Sequence, residues 1–408
     1  MKEFIAFEEA QRIVLDAVTR RQPVERVPLA DALGRTLAEP VVSRDTIPPF
    51  DNSAMDGFAV RAADFEGEAT LDVIGAVAAG EVPEVAVRPG TCVRIMTGAP
   101  MPEGADAVAP VEWAEERAGR VHIRRAPASG QYVRPAGQDV RPGDELVGAG
   151  AVVTPPVVGM AATLGYPTLA VRVPPRVAVV ATGDELVPAG ATPGPGQIRD
   201  ANGPALAAQV VQAGGAVLGP LHARDDAAEA RAVLARALAA DVLVVSGGVS
   251  MGAYDVVRGV LEDLGVEWAF WRVRQRPGKP LAFGVVGERL VFGLPGNPVS
   301  SSVCFEQYVR PALAALLGRA EVARRVPAVL AEDVAKAAGL HHFVRGTFAS
   351  GGAGRLTARP TGAQGSNLYS SVVRADGLIH LPEAMEHPVE GTAVEVEWLP
   401  WRPLWPSA

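Results

Sequence analysis

The chain has 408 residues, which at roughly 150 per domain allows two or three domains, and 48% hydrophobic with 21% charged residues is an ordinary globular balance. A net charge of −8 with no long Lys/Arg run argues against a nucleic-acid partner, so an anionic substrate would need local cations, backbone N–H groups or a metal. Two distant cysteines, Cys92 and Cys304, give neither a disulfide framework nor zinc spacing and suit a reducing cytoplasm; MKEFIAFEEA does not read as a signal peptide, and no apolar run of about 18 residues could span a membrane.

Phe7 to Arg20 is predicted to be an amphipathic helix, because Ala10, Ile13, Val14, Ala17 and Val18 recur at helical spacing and Glu8 and Glu9 occupy the first turn. From about Val60 to Asp139, short β-rich runs such as LDVIGAVAAG, TCVRIMTG and RVHIRR alternate with Gly, Pro and Asp turns. Arg141-Pro142-Gly143-Asp144 closes this region as a turn. Val152 to Leu164 is helical again, with Pro near its start and Gly after its end, and it rejoins the N-terminal region so that the β-rich part is an insertion.

Pro174-Pro175 is a stiff linker, and strands and helices alternate after it. RVAVVA, AVLGPL and DVLVVS are short apolar strands; Asn202–Ala213, Asp226–Ala240 and Asp255–Leu264 are helices; LVFGLPGNP leads into a last helix, Pro298–Leu317. That alternation predicts a parallel sheet with crossover helices. From about Arg324, strand-like runs HHFVRGTF, GLIHL and AVEVEWL return and form a second β-rich domain, a small barrel. The expected division is therefore 1–45 plus 141–173 as a split N-terminal domain, 46–140 as a β-rich insertion, 174–323 as an α/β domain and 324–408 as a β-barrel.

Ligands of open parallel sheets bind outside the carboxyl ends of the strands. The loops at that edge carry Gly183-Asp184-Glu185, Asp225-Asp226, Gly247-Gly248-Val249-Ser250 leading to Asp255, and Pro295-Gly296-Asn297-Pro298-Val299-Ser300 opening a helix. Glycines let backbone N–H groups approach phosphate oxygens, and the helix start offers N–H groups at Val299 and Ser300 together with a hydroxyl. Carboxylates beside an anion repel it unless a cation intervenes, and Mg²⁺ takes one or two carboxylates plus phosphate oxygens. Each loop alone could merely turn the chain; four on one edge predict a Mg²⁺-dependent phosphate site. Arg276 and Lys279 flank a Pro-Gly turn in RQRPGKP, and Asn52-Ser53-Ala54-Met55-Asp56-Gly57 presents a carboxylate on a tight turn, with Arg134 and Asp139 in a similar polar loop.

NSAMDG, RIMTGAP, ATGDEL, SGGVSMGAYD, RPGKPLAFG and GLPGNPVSS, in this order and spread over essentially the whole chain, resemble the MoeA/gephyrin E-domain family of molybdopterin molybdenumtransferases. The resemblance implies an elongated four-domain subunit: a split first domain carrying a β-rich second, a MogA-like α/β third and a C-terminal β-barrel. It implies a cytoplasmic homodimer whose active site takes the second domain of the other subunit. The implied reaction converts adenylated molybdopterin and molybdate, with Mg²⁺, into molybdenum cofactor and AMP. Contact with the adenylyltransferase of the same pathway is also implied.

By position, Asp56, Lys279, Arg276 and Asp255 are expected to be catalytic, with Asp225 and Asp255 as the Mg²⁺ ligands. Substrate contacts are expected from Thr97, Arg134 and Asp139 in the second domain, and from Glu185, Gly247, Gly248, Pro295, Asn297, Pro298 and Ser300 at the α/β edge. Arg345 and Ser366, in FVRG and QGSN, are expected to complete a molybdate pocket. Arg276 stands where the family commonly has Lys, which keeps the charge but changes geometry and hydration. Molybdate is a tetrahedral dianion, and Arg276, Lys279, Arg345, Ser300 and Ser366 would make an oxyanion cage for it. GLPGNP and SGGVS are shared with the related adenylyltransferases, so adenylyl transfer to molybdopterin is the alternative enzyme reading and a non-catalytic scaffold is the other.

Overall fold

The computed structural model describes residues 1–248, 256–319, 325–351 and 354–402. Its contacts divide into two compact units: 1–39 with 149–158 and 168–408, and 40–148 with 159–167.

The first unit is organised by a seven-stranded sheet. Ala216–Ala223, Arg176–Thr182, Val242–Ser246 and Arg289–Leu294 run parallel in that spatial order. The apolar runs read in the sequence lie here, and Val177–Ala181 and Val242–Val245 are buried, as expected for strands covered on both faces. Helices Asn202–Gln212, Ala227–Ala237 and Val256–Asp263 make the crossovers. Asp226 caps the second of these by accepting from Ala228 and Glu229 N–H at 3.0 and 2.9 Å.

The sheet is not all parallel. Ala282–Val286 runs against Arg289–Leu294 in a hairpin closed by Gly287-Glu288, with Gly287 at φ +57°. Glu267–Val273 follows antiparallel to it, and Lys2–Ile5 adds parallel to Glu267–Val273 as the last strand. The first helix spans Phe7–Asp16, four residues shorter than its periodicity suggested, and its buried Phe7, Ala10 and Val14 join the core on one face of this sheet. The last helix starts at Pro298 as expected but passes through a π-helical turn at Phe305–Val309 before finishing at Leu317.

The C-terminal strands close a five-stranded barrel in the order Arg325–Leu330, Ala393–Trp398, Gly377–Leu381, His341–Ser350, Leu356–Pro360, with the last pairing back to the first. Closure removes the edges that short strands would otherwise leave. Gln275–Arg276 pairs in parallel with the start of His341–Ser350, so the strand that carries Arg276 is fastened to the barrel.

The second unit is a six-stranded sheet in the order Ala107–Pro110, Gly57–Val60, Thr91–Ile95, Ala69–Val77, Arg120–Ile123, Ala114–Arg117. The predicted turn at Arg141–Asp144 is present, with Asp144 N–H on Arg141 O at 3.1 Å and Gly143 at φ +95°.

Candidate functional site

Three of the predicted edge loops and the start of the last helix converge. Glu185, Asp225, Gly247, Gly248, Asn297 and Pro298 line one cleft of about 620 Å³ at the carboxyl ends of the parallel strands. Asp255 lies outside the described residues, as does Ser250. The glycines are there for space: a Cβ on Gly247 (φ +95°) would sit 2.7 Å from Thr182 Oγ1, and one on Gly248 (φ +64°) 2.6 Å from Val257 Cγ2. Backbone is therefore what lines the cleft at this point.

Asn202, which the sequence reading passed over as merely the start of a helix, ties the edge together. Its Nδ2 donates to Ser246 Oγ at 2.8 Å and to Gly296 O at 2.7 Å. Ser246 Oγ also lies 3.2 Å from Ser301 Oγ and donates to Pro295 O at 3.4 Å. Pro295 is thus a buried strut behind the cleft rather than part of its lining. Asp184 Oδ1 accepts from Asp225 N–H at 3.3 Å, fixing the loop that carries Asp225.

Two expectations about the helix start change. Val299 N–H donates to Ser366 O at 3.1 Å, so it is not free for an anion; the barrel's own loop caps it. Ser300 is only 4% exposed, turned into the helix packing. Asn367, next to Ser366, reaches the cleft in their place.

Among the described residues the cleft is lined by the acids Glu185, Asp200 and Asp225 and by one cation, Arg199. Among the described residues no three acids, histidines or cysteines come together as a closed metal cage. One or two carboxylates facing a space open to phosphate oxygens is nevertheless the donor set Mg²⁺ favours, so Glu185 and Asp225 fit it.

A second hollow of about 440 Å³ lies on the barrel and contains Arg276, His342, Arg345 and Gln364. The segment 364–367 borders both hollows. Arg345 is 1% exposed, and its guanidinium donates to Ser371 Oγ, Phe343 O and Gly365 O at 3.1, 3.4 and 3.2 Å. Of its five N–H groups, two have no partner among the described residues. Burial, then the charge of Arg276, pulls Arg345 down to about 10. His342 is pushed down to about 4 by burial first and by Lys336 and Arg276 next, and its buried Nε2 has no hydrogen-bond partner. Sequence reasoning missed His342, which no local pattern distinguishes from its neighbour His341. Lys279 does not line either hollow; its Nζ lies 5.1 Å from the centre of the Phe4 ring.

The second unit assembles its own group. Asp56 precedes strand Gly57–Val60 and Thr97 follows Thr91–Ile95, which pair antiparallel. Asp56 Oδ1 accepts from Thr97 N–H at 2.7 Å and Thr97 Oγ1 at 2.8 Å, and these two bonds hold its carboxyl below the usual range. Arg134 is opposite Asn52 in the ribbon that leads into the same loop. Asp139 lies further along the chain, its N–H on Ile47 O at 3.0 Å.

Comparisons with known proteins agree along the chain. The MoeA N-terminal region (domain I and II) matches residues 5–165, a family described as "Probable molybdopterin binding domain" matches 178–315, and the MoeA C-terminal region (domain IV) matches 327–399. A Mycobacterium tuberculosis protein named "Molybdopterin molybdenumtransferase 2" is 38% identical, covering 95% of this chain and 98% of its own length. A Haemophilus influenzae molybdopterin molybdenumtransferase is 34% identical over 96% and 98%. The crystal structure of a molybdopterin biosynthesis MoeA protein from Pyrococcus horikosii superposes with a TM-score of 0.82 at 34% identity, covering 97% of this chain and 99% of that one. With that identity sustained over nearly the full length, the chain belongs to the molybdopterin molybdenumtransferase family.

Proposed function

We propose that this chain inserts molybdenum from molybdate into adenylated molybdopterin with the help of Mg²⁺, releasing AMP and molybdenum cofactor. The observation that carries the reading is the cleft at the carboxyl edge of the sheet, where two close-approach glycines, Asn297 and the carboxylates of Glu185 and Asp225 face one space.

The backbone at Gly247 and Gly248 would receive the phosphates, and Asn202 would keep the three loops in register. Mg²⁺, bound by Asp225 and Glu185 with Asp255, would neutralise phosphate charge and favour departure of AMP. Arg276 and the two spare N–H groups of Arg345 would bind molybdate in the neighbouring hollow, with neutral His342 adding a donor. Ser366 would contribute from the segment between the hollows. Pro298 would contribute from the cleft lining, while Lys279, Ser300 and Pro295 remain the residues of that region whose roles follow from the family motif alone.

Asp56, Thr97 and Arg134, with Asp139, would complete the site from a second copy of the chain, making the enzyme a cytoplasmic homodimer that receives its substrate from the pathway's adenylyltransferase. The four-domain division at 1–45 plus 141–173, 46–140, 174–323 and 324–408 belongs to the same proposal.

The test is AMP release from adenylated molybdopterin with and without molybdate. Molybdate-dependent release is expected. ATP consumption with molybdopterin would point instead to adenylyl transfer, and binding without turnover to a scaffold. Mixing inactive Asp56→Ala and Lys279→Ala subunits should restore part of the activity; none despite proven exchange would count against a shared site.

A further inference from the structure

A cavity of about 570 Å³ lies where the chain from the first helix meets the end of the last one. Among the described residues it is lined by Arg20, Arg21, Arg172 and Arg319 and by no acid. A smaller hollow of about 270 Å³ shares Arg172 and Arg319 with it, so the two are neighbours.

Arg20 is neutralised, 2.6 Å from Asp241 and 3.4 Å from Glu288. The other three have no carboxylate partner among the described residues. Arg172 donates to Gln22 O at 2.9 Å, and Arg319 to Thr36 Oγ1 at 2.8 Å and Ala213 O at 3.1 Å. Those neutral bonds aim the guanidiniums without cancelling their charge. Arg21 is exposed beside Gly318. Burial and the charge of Arg310 lower Arg319, the sign of a cation lacking a counter-charge. On a chain of net charge −8, three cations facing one hollow without a carboxylate partner among the described residues are out of keeping with the overall charge.

The cavity is also far from the cleft described above. Asp241 and Ala213 immediately precede or lead into strands Val242–Ser246 and Ala216–Ala223, at their amino ends, whereas the cleft is at their carboxyl ends. The two sites share no residue, and a five-residue strand separates them by roughly 15 Å or more.

We propose that this arginine-lined cavity is a second anion site, taking a small phosphate-bearing molecule through Arg21, Arg172 and Arg319. Several guanidinium forks suit several phosphate oxygens, and the volume exceeds what one oxyanion fills. Leu37, Ala38 and Ala149 supply a neutral wall for the remainder of such a ligand.

The test is calorimetric titration of the full chain with inorganic pyrophosphate at low salt. Wild type should bind, and Arg21→Gln and Arg172→Gln should each bind at least about tenfold more weakly. Asn367→Asp, which adds a negative charge to the carboxyl-edge cleft instead, should bind as wild type does. Arg21 is exposed and its side chain makes no hydrogen bond to the described residues, so its variant should keep the fold, checked by its melting temperature. No binding tighter than about 1 mM in wild type, or binding lost in Asn367→Asp and kept in both arginine variants, would overturn the proposal.

Discussion

Gly278 lies at the tip of the turn that separates Arg276 from Lys279, at φ +92°. A Cβ there would overlap Cys304 Sγ and lie 2.6 Å from Gln275 Nε2. Neither neighbour can swing away. Cys304 is buried, and Gln275 Nε2 donates to Pro277 O and Gly278 O at 3.2 and 3.3 Å while its Oε1 accepts from Tyr308. Gly278→Ala therefore combines a left-handed backbone penalty of roughly 1–2 kcal/mol with an overpacking cost of about 1–3 kcal/mol. A total near 2–5 kcal/mol corresponds to a melting temperature lower by about 4–20 °C for a body of this size. Gly287→Ala is the matched control: φ is +57° but nothing lies within 4 Å, so only the backbone cost applies. Thermal unfolding followed by tryptophan fluorescence compares the two. Cys304→Ala placed in the Gly278→Ala chain should recover part of the loss, a favourable coupling in a double-mutant cycle. A Gly278→Ala chain that melts no lower than Gly287→Ala, or a cycle with no coupling, refutes the packing argument and leaves the turn looser than described.

Further outcomes follow from the site. Arg276→Ala, at an exposed position, should raise half-saturation for molybdate about 10- to 150-fold, the range for a hydrogen bond to a charged group, with an unchanged melting temperature. Arg345→Ala should instead lower the melting temperature first, because Phe343 O, Gly365 O and Ser371 lose their buried donor; equal melting in the two variants would contradict this. Thr97→Val removes one of the two bonds that hold the Asp56 carboxyl low, so the acid limb of a pH–rate profile should move to higher pH, and an unmoved limb would detach Asp56 from the rate. His341 is buried beside His380, with Arg325, Lys336, His342 and Glu8 around it, and burial leads the causes that push it down to about 3. The unfolded chain then binds the proton first, so stability should fall as pH drops from about 6.5 towards 3, by at most about 1.4 kcal/mol per pH unit for this group. Melting against pH in wild type and His341→Phe measures it; parallel slopes would exclude His341.

The parallel strands and their glycine loops were legible because each is a local signal: RVAVVA and DVLVVS are continuous apolar runs, and Gly247 and Gly248 follow one of them directly. The reversed strand Ala282–Val286 was not, since periodicity cannot report direction. The helix start was read by a local rule that grants it free N–H groups, yet Ser366, 67 positions later, supplies a carbonyl to Val299. Lys279 was placed by motif in the molybdate cage, but its neighbour Phe4 comes from the far end of the chain. The arginine cavity draws on residues 20, 21, 172 and 319, and no window of sequence contains them together. Long-range pairing, rather than composition, decides each of these cases.

The parallel pairing of Lys2 with Phe270 has a consequence during synthesis. At 5–20 residues per second, the partner strand leaves the ribosome roughly 10–50 s after the strand it completes. Through that interval Phe7, Ala10 and Val14 have no sheet to cover them, although they end fully buried. A segment made well before its partner is thus seated late, and while it waits its apolar helix face stays open to solvent.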